Sequence, residues 1–374
     1  MLFSKKSIGI FGAGQLARMI SLRARELGLR VNLYTKNKKD PAVAFCHFWY
    51  PGDMQDRSRL KKFIDDSDVV TFESEFFQAN HFQALTQKQQ HKIFPQVFNL
   101  ARLQDRWPQK ELLIDYNIPT SPFIKINSKD DLDISFKLFR NKVVFKKRFG
   151  GYDGFGTFVV KNQVQLNAFK KKVKGFESHY IAEEFISFKS EKSLIFGRNK
   201  RGQIVHYPLL QSLQKNNQCF QVWGPMQHPK EKEMIKKISH LLNEISYVGV
   251  IAFELFDRGR ELTVNEIAPR VHNTGHVTQN SFSIDQFDLH LRCIMDLPLP
   301  KIVPVNPKGY FLMQNLIGKT NRIPRIQDDL SGQLYWYEKS ENRPLRKMGH
   351  INYEGSALKY LFTRAAHDLR KIQL

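Results

Sequence analysis

The sequence predicts a multidomain chain of α/β and α+β class, and three observations carry that expectation. Short β-rich runs alternate with amphipathic helical stretches over the first hundred residues. The middle reads as strands punctuated by glycine turns and acidic positions, and past Pro298 and Pro300 the chain breaks into short, Pro-flanked strand-like pieces. At 374 residues, 41% of them hydrophobic, it is too long for a single compact core, so two or three domains are expected.

The alternation begins with a strand at residues 8–11, followed by a helix at 16–27, a strand at 31–34, a helix at 59–64 and a strand at 69–72. Strands separated by helical crossovers form a parallel sheet. A Pro, Ser, Asn and Asp-rich stretch at 119–133 then precedes strands at 142–147, 158–161 and 180–185, with a domain boundary near residues 100–120. A helix at 229–245 leads into a hairpin formed by the runs 248–256 and 261–267 around Asp257-Arg258-Gly259-Arg260. Strand-like pieces at 310–316 and 332–337 and a closing basic helix make a small third unit.

Composition limits the function classes. The formal net charge is +22, a field that attracts phosphates, whether of nucleic acids or of nucleotides. Basic residues are spread through nearly every segment, including Lys170 to Lys174, with no recognition-helix signature, so a solvated basic surface is expected and nucleic acid is not. Cys46, Cys219 and Cys293 stand far apart and form neither a metal-ligand spacing nor a disulfide framework, which suits a reducing cytoplasm. The absence of an apolar run after Lys5 and Lys6 argues against export, and no run of about eighteen apolar residues suggests a membrane span.

Several constellations can carry chemistry. Gly12-Ala13-Gly14-Gln15-Leu16-Ala17 is a glycine turn between strand and helix whose backbone N–H groups can meet an anion. A dinucleotide site would have glycine at Ala17 and an acidic residue near Tyr34-Thr35-Lys36, so NAD is disfavoured, and a plain structural turn stands beside phosphate binding. Lys146 and Lys147 precede Gly150-Gly151-Tyr152-Asp153-Gly154-Phe155-Gly156, a loop able to close over phosphates while lysine offsets their charge. Glu254 lies inside an apolar strand run and Glu266 follows Asn265 on the next strand. Buried carboxylates are costly unless paired or coordinating a cation, and oxygen donors of this kind suit magnesium. An odd-numbered turn would put both carboxylates on one face, whereas salt bridges to Arg258, Arg260 or Arg270 would explain them without a metal. The loop Arg270-Val271-His272-Asn273 can hold an anion beside that strand. The basic stretch Arg343 to His350 reads as a loop.

Taken in order, these pieces resemble the ATP-grasp superfamily, and within it most closely the 5-(carboxyamino)imidazole ribonucleotide synthase family of bacterial purine biosynthesis. The resemblance covers nearly the whole chain and rests on residues 12–19, 68–75, 104–110, 150–156 and 265–279. It implies a Rossmann-like domain over residues 1–100, a two-lobed ATP-grasp domain over 101–298 and a small β-rich domain over 299–374. It also implies ATP-dependent carboxylation of aminoimidazole ribonucleotide with bicarbonate by way of carboxyphosphate, with Mg2+ or Mn2+, in a cytoplasmic homodimer.

By the same similarity ATP would be held by Arg106, Lys146, Gly151, Tyr152, Asp153, Gly154, Gly156, Glu183, Glu184, Phe185, Ile186, Glu191, Asn265 and Glu266. Glu254 and Glu266 would hold the metal, and Arg270, His272, Asn273 and Lys347 would be catalytic. Gly14, Gln15, Leu16, Glu73, Glu75, Asp153, Arg346 and Lys347 would contact the ribonucleotide. The chain departs from the family pattern at Phe155, where arginine is usual, and at Gln211, Ser212, Gln214, Val277 and Leu345, departures that bear on catalytic efficiency and not on the fold. Rival expectations are another ATP-grasp ligase, such as a formate-dependent glycinamide ribonucleotide formyltransferase, or a catalytically weakened ATP-binding paralogue.

Overall fold

A computed structural model describes residues 6–77, 79–151, 154–306, 309–327 and 329–374. The first sheet is parallel, in the order Phe48–Tyr50, Arg30–Tyr34, Ser7–Phe11, Val69–Phe72, Ile93–Phe94. Its inner strands are apolar on both sides, with Ile8, Ile10, Val31, Leu33 and Val70 fully buried, as sheets covered by helices require. The helices Gln15–Glu26 and Arg57–Asp65 fall where the hydrophobic spacing places them. Asp56 starts the second helix by accepting the Arg59 amide at 3.1 Å. The flanking strands Phe48–Tyr50 and Ile93–Phe94 have three and two residues, too short to show a period.

The second sheet is antiparallel, in the order Phe123–Lys125, Tyr180–Glu184, Val143–Lys147, Thr157–Val160. Helices Asp130–Leu138 and Gln163–Val173 cover one face through Leu132, Phe136, Leu166 and Phe169, packed on Val143, Phe145 and Ala182. Strand side chains alternate, so Lys146 and Glu183, next to Phe145 and Ala182, point away from those helices. That opposite face looks onto the third sheet.

Among the described residues the third sheet has nine strands, ordered Leu262–Ala268, Gly249–Asp257, Ser190–Arg198, Leu210–Lys215, Gln218–Gly224, Tyr310–Ile317, Lys347–Gly355, Gln333–Trp336, with Ile204–His206 beside Ser190–Arg198. Helix Glu231–Glu244 packs on one face through Met234, Ile238, Leu241 and Leu242 against Phe253 and Leu255. Helix Gln286–Ile294 packs on the other face, against Ile195, Val250, Ala252 and Ala268. The sheet runs unbroken past residue 298, because Tyr310–Ile317 pairs with Gln218–Gly224 from Gln221↔Gln314 to Gly224↔Phe311. The stretch from Arg343 to His350, expected as a loop, is a loop only in its first half: from Lys347 onward it is a central strand, fixed by pairing on both sides. Its basic composition hid that pairing, since buried Met348, Ile351 and Tyr353 lie mostly beyond the basic run. No helix among the described residues is long and apolar enough to cross a membrane, and none of the three cysteines is joined in a disulfide.

Candidate active site between the two lobes

The acidic hairpin resolves its own register. Glu254 lies directly opposite Glu266, with Glu191 on the neighbouring strand two residues along from Ser193, the partner of Glu254. All three carboxylates therefore share one face, the face that helix Gln286–Ile294 covers at the other end of the strands. The device is neither an odd-numbered turn, which would have put both carboxylates on one face, nor a two-residue one. Asp257 pairs with Leu262 across four intervening residues, and a β-bulge beyond Leu255↔Val264 inserts Asn265 before Glu266. The extra residue swaps the face of everything after it, so Glu266 meets Glu254 where Asn265 would otherwise stand.

Basic side chains from three elements converge on this acidic face: a strand of the second sheet, the helix Arg106–Asp115 and the segment after Leu262–Ala268. Lys146 Nζ donates to Asn265 Oδ1 at 2.7 Å and to Glu183 Oε2 at 3.1 Å. Arg106 pairs with Glu266, and His272 Nε2 lies 3.2 Å from Glu254 Oε1. Arg258 instead reaches Glu261, and Arg270 pairs with Glu75, donating through Nη2 to Oε1 at 3.0 Å. Burial pushes the Glu266 carboxyl up, but Arg106 and then Lys146 outweigh it and hold it below the usual range. Glu191 goes the other way: burial, and then the charge of Glu254, push it up to about 7. A small cleft lined by Glu191, Ser212, Glu254, Asn265 and Thr274 separates these groups.

Beneath Lys146 lies a buried ion cluster. Glu183 Oε2 accepts from Ser121 Oγ at 2.6 Å and faces both Lys110 and Lys146 at 3.1 Å. Lys110 donates to Thr120 Oγ1 and Ser121 Oγ, each at 2.8 Å. Burial penalises both charged partners unequally. Glu183, facing two ammonium groups, is held down to about 2 in spite of it, whereas Lys110, with Lys146 as a like-charged neighbour, is pushed down to about 8. Lys110 and Ser121 had no role in the sequence reading. The available signal was position: Lys110 shares a helical face with Leu113 in Arg106–Asp115, where a lysine must find a buried partner.

The glycine loop bridges the lobes. A side chain on Gly151 would touch Arg106 Nη2, and one on Gly154 would collide with Asn217, in the turn between Leu210–Lys215 and Gln218–Gly224. Lys147 Nζ lies 5.3 Å from the ring centre of Phe155, and Gly156 follows with φ +84°. Tyr152 and Asp153 lie outside the described residues. At the end of Tyr180–Glu184, Glu184 N donates to Pro122 O at 2.9 Å, Phe185 receives Lys161 on its ring at 4.5 Å, and Ile186 is buried.

The first glycine turn holds an anion of its own. The Glu73 carboxylate accepts from the Ala17 amide at 3.3 Å and from the Gly14 amide, at the start of Gln15–Glu26, which has no cap from its own N-cap side chain. A carboxylate at a helix N-terminus meets both the free amides and the positive end of the dipole. Burial nevertheless pushes the Glu73 carboxyl above its usual range. Gly14, Gln15, Leu16 and Glu73 thus form one cluster, and Glu75 ties it to Arg270. Asn273 exchanges hydrogen bonds with Asn315, whose Nδ2 donates to Asn273 Oδ1 at 2.7 Å. Arg346 donates to Glu341 O at 2.9 Å and is lowered by burial and by Arg343, while Lys347 opens the strand beside Tyr310–Ile317.

Comparison with known proteins agrees with this architecture over more than nine-tenths of the chain. Residues 5–104 match the ribonucleotide synthetase preATP-grasp domain, 111–287 the ATP-grasp domain, and 312–361 the phosphoribosylaminoimidazole carboxylase C-terminal domain. The chain is similar to N5-carboxyaminoimidazole ribonucleotide synthase of Saccharolobus solfataricus, 33% identical over 95% of this chain and 92% of the relative. To that of Synechococcus elongatus it is 34% identical over 92% and 88%. Among solved structures it superposes on N5-carboxyaminoimidazole synthetase from Staphylococcus aureus complexed with ADP, with a TM-score of 0.88, 28% identity and 97% of each chain covered. It also superposes on the Aspergillus clavatus synthase in complex with ADP and 5-aminoimidazole ribonucleotide, with a TM-score of 0.84, 25% identity and 98% of each covered. An acidic strand pair, a lysine and glycine loop facing it, and relatives alike over nine-tenths of the chain lead to one conclusion: this protein belongs to the N5-carboxyaminoimidazole ribonucleotide synthase family of ATP-grasp ligases.

Proposed function

We propose that this ATP-dependent ligase carboxylates 5-aminoimidazole ribonucleotide with bicarbonate, releasing ADP and phosphate and forming 5-(carboxyamino)imidazole ribonucleotide. The observation that carries the reading is the pairing of Glu254 with Glu266 on one face, opposite Lys146 and Arg106. A triphosphate entering there would take over Arg106 and Lys146, releasing Glu266 from its ion pair. Glu254 and Glu266 would then hold Mg2+ or Mn2+, and the fit rests on two hard oxygen donors side by side across one strand pair. Such an ion neutralises charge on the phosphate oxygens.

Bicarbonate oxygen attacks the γ-phosphorus as the bond to the β–γ bridging oxygen breaks, giving ADP and carboxyphosphate. The exocyclic amine of the ribonucleotide then takes the carboxyl carbon, losing a proton as phosphate leaves. No side-chain nucleophile is required, because catalysis by positioning and charge suffices for phosphoryl transfer. Arg106, Lys146 and the glycine loop, including Tyr152 and Asp153, would contact phosphates; Glu183 to Ile186 would line the adenine pocket and Glu191 would meet the ribose. Arg270, His272 and Asn273 would stabilise the bicarbonate-derived anion. Gly14, Gln15, Leu16, Glu73, Glu75, Asp153, Arg346 and Lys347 would bind the ribonucleotide. Cysteines without disulfides suit the cytoplasm, and the family likeness suggests a homodimer, which light scattering would test.

The deciding assay is ADP production with each substrate omitted in turn. Turnover should require ATP, bicarbonate and aminoimidazole ribonucleotide together, and Glu266→Ala should abolish it while far-UV circular dichroism stays unchanged. ADP formation dependent on formate would assign the rival ligase, and ATP binding without turnover would assign a weakened paralogue.

A further inference from the structure

The segment that carries Arg270, His272 and Asn273 leaves the strand Leu262–Ala268 and belongs to no sheet. Its buried backbone groups must still find partners, because an orphaned N–H or C=O away from water costs about as much as a lost hydrogen bond. Local contacts supply some, with Arg270 N donating to Ala268 O at 2.8 Å and Gly275 N to His272 O at 3.0 Å, and one distant side chain supplies partners for both polar groups of His272. Gln286 is fully buried at the first position of helix Gln286–Ile294. Its Oε1 accepts from the His272 amide at 2.8 Å, and its Nε2 donates to the His272 carbonyl at 2.8 Å and to His276 Nδ1 at 2.9 Å. A single planar amide thus imitates a neighbouring strand and grips both polar groups of one residue.

Its own position is held from behind. Asp285, the N-cap, accepts the Phe287 and Asp288 amides at 2.8 and 2.9 Å and pairs with Arg23 of the first helix at 2.7 Å. The Gln286 backbone N–H donates to Thr278 Oγ1 at 3.0 Å. On the other side Gly275 leaves just enough room, since a Cβ there would collide with Gln286 Oε1. Because the His272 main chain is pinned in both directions, its Nε2 is set 3.2 Å from Glu254 and the next residue is set against Asn315.

We propose that Gln286 is a positioning residue for the transfer step: it touches no substrate, but its buried amide fixes the Arg270–Asn273 segment against the acidic strand pair. The inference rests on the anion-stabilising role proposed for that segment. Without the side-chain amide, the His272 N–H would lose its partner and its carbonyl would keep only the Gly275 amide at 3.0 Å, so the segment would be drawn toward other partners, and displacement of a reacting constellation by about 1 Å costs on the order of 100-fold in rate. The hydrogen bonds of Gln286 run to His272, His276 and Thr278 and not to Lys146 or Arg106, so the KM for ATP should be unchanged.

The test uses the full chain with Gln286→Met, which keeps side-chain volume and loses the hydrogen bonds, and Gly275→Ala, which displaces the amide from the opposite side. ADP formation is followed with ATP, bicarbonate and aminoimidazole ribonucleotide. The expected result is a fall in kcat of about 100-fold for both variants with an unchanged KM for ATP. Unchanged kcat, or a rise in KM for ATP in step with the loss, would overturn the inference and mark Gln286 as merely structural. His272→Ala separates the two levels. If it leaves kcat intact, the reading of the segment fails; if it lowers kcat while Gln286→Met does not, the positioning role alone fails.

Discussion

Replacing Glu183 by glutamine tests the electrostatic construction of the nucleotide lobe most directly. The side chain keeps its shape but removes the one charge that Lys110 and Lys146 share, each at 3.1 Å from Oε2. Breaking a buried ion pair from one side costs about 3–5 kcal/mol, because the partner charge is left without compensation. The titration of Glu183 leads independently to a similar figure. A carboxyl held down from 4.5 to about 2 corresponds to about 3 kcal/mol, at about 1.4 kcal/mol for each pH unit. The folded value is depressed, so this contribution is present above about pH 4.5 and is lost as pH falls toward 2.

The assay is urea unfolding at pH 7 with and without ATP. Glu183→Gln should lose about 3 kcal/mol, and ATP should restore part of it, since the triphosphate brings negative charge to Lys146. A loss below about 1 kcal/mol, or an ATP stabilisation no greater than in the unsubstituted protein, would refute the argument that Glu183 is the charge balancing both lysines.

Two further outcomes follow from the first sheet and its contacts. The Val250 amide donates to His290 Nδ1 at 3.0 Å, so His290 carries its proton on Nε2, toward Thr71 Oγ1 at 2.8 Å, and burial lowers its pKa to about 4. Between about pH 6.5 and 4 the unfolded chain takes up a proton that the folded chain refuses, so stability should fall by about 3 kcal/mol as pH drops through that window. His290→Gln should flatten that slope in urea titrations at several pH values; an unchanged slope would assign it elsewhere. Gly12→Ala combines a φ of +91° with a collision against Glu73 Oε1, and should lower the urea midpoint by the equivalent of about 1–3 kcal/mol from backbone strain alone. A midpoint unaltered by that substitution would mean that the turn and its carboxylate relax freely.

Much was legible in the chain because its causes are local. The period of apolar residues placed Gln15–Glu26, Arg57–Asp65 and Glu231–Glu244 to within a few residues, and the alternation of strand and helix determined a parallel first sheet. The nearness of Lys146 to a glycine loop, and of Glu254 to Glu266 across a turn, could be read as well, since spacing along one hairpin limits where its side chains can go. What the sequence could not decide depends on partners far apart in the chain. The anion at the first glycine turn is Glu73, more than fifty residues away; the carboxylate register depends on a bulge at Asn265; and the clamp on His272 comes from Gln286 on a later helix. The run from Lys347 became strand because Tyr310–Ile317 and Gln333–Trp336 flank it, a pairing that its basic residues do not announce. Composition and period specify which face of an element is apolar, whereas the partner of each buried polar group is chosen only when distant elements are packed together and every donor and acceptor must be satisfied at once.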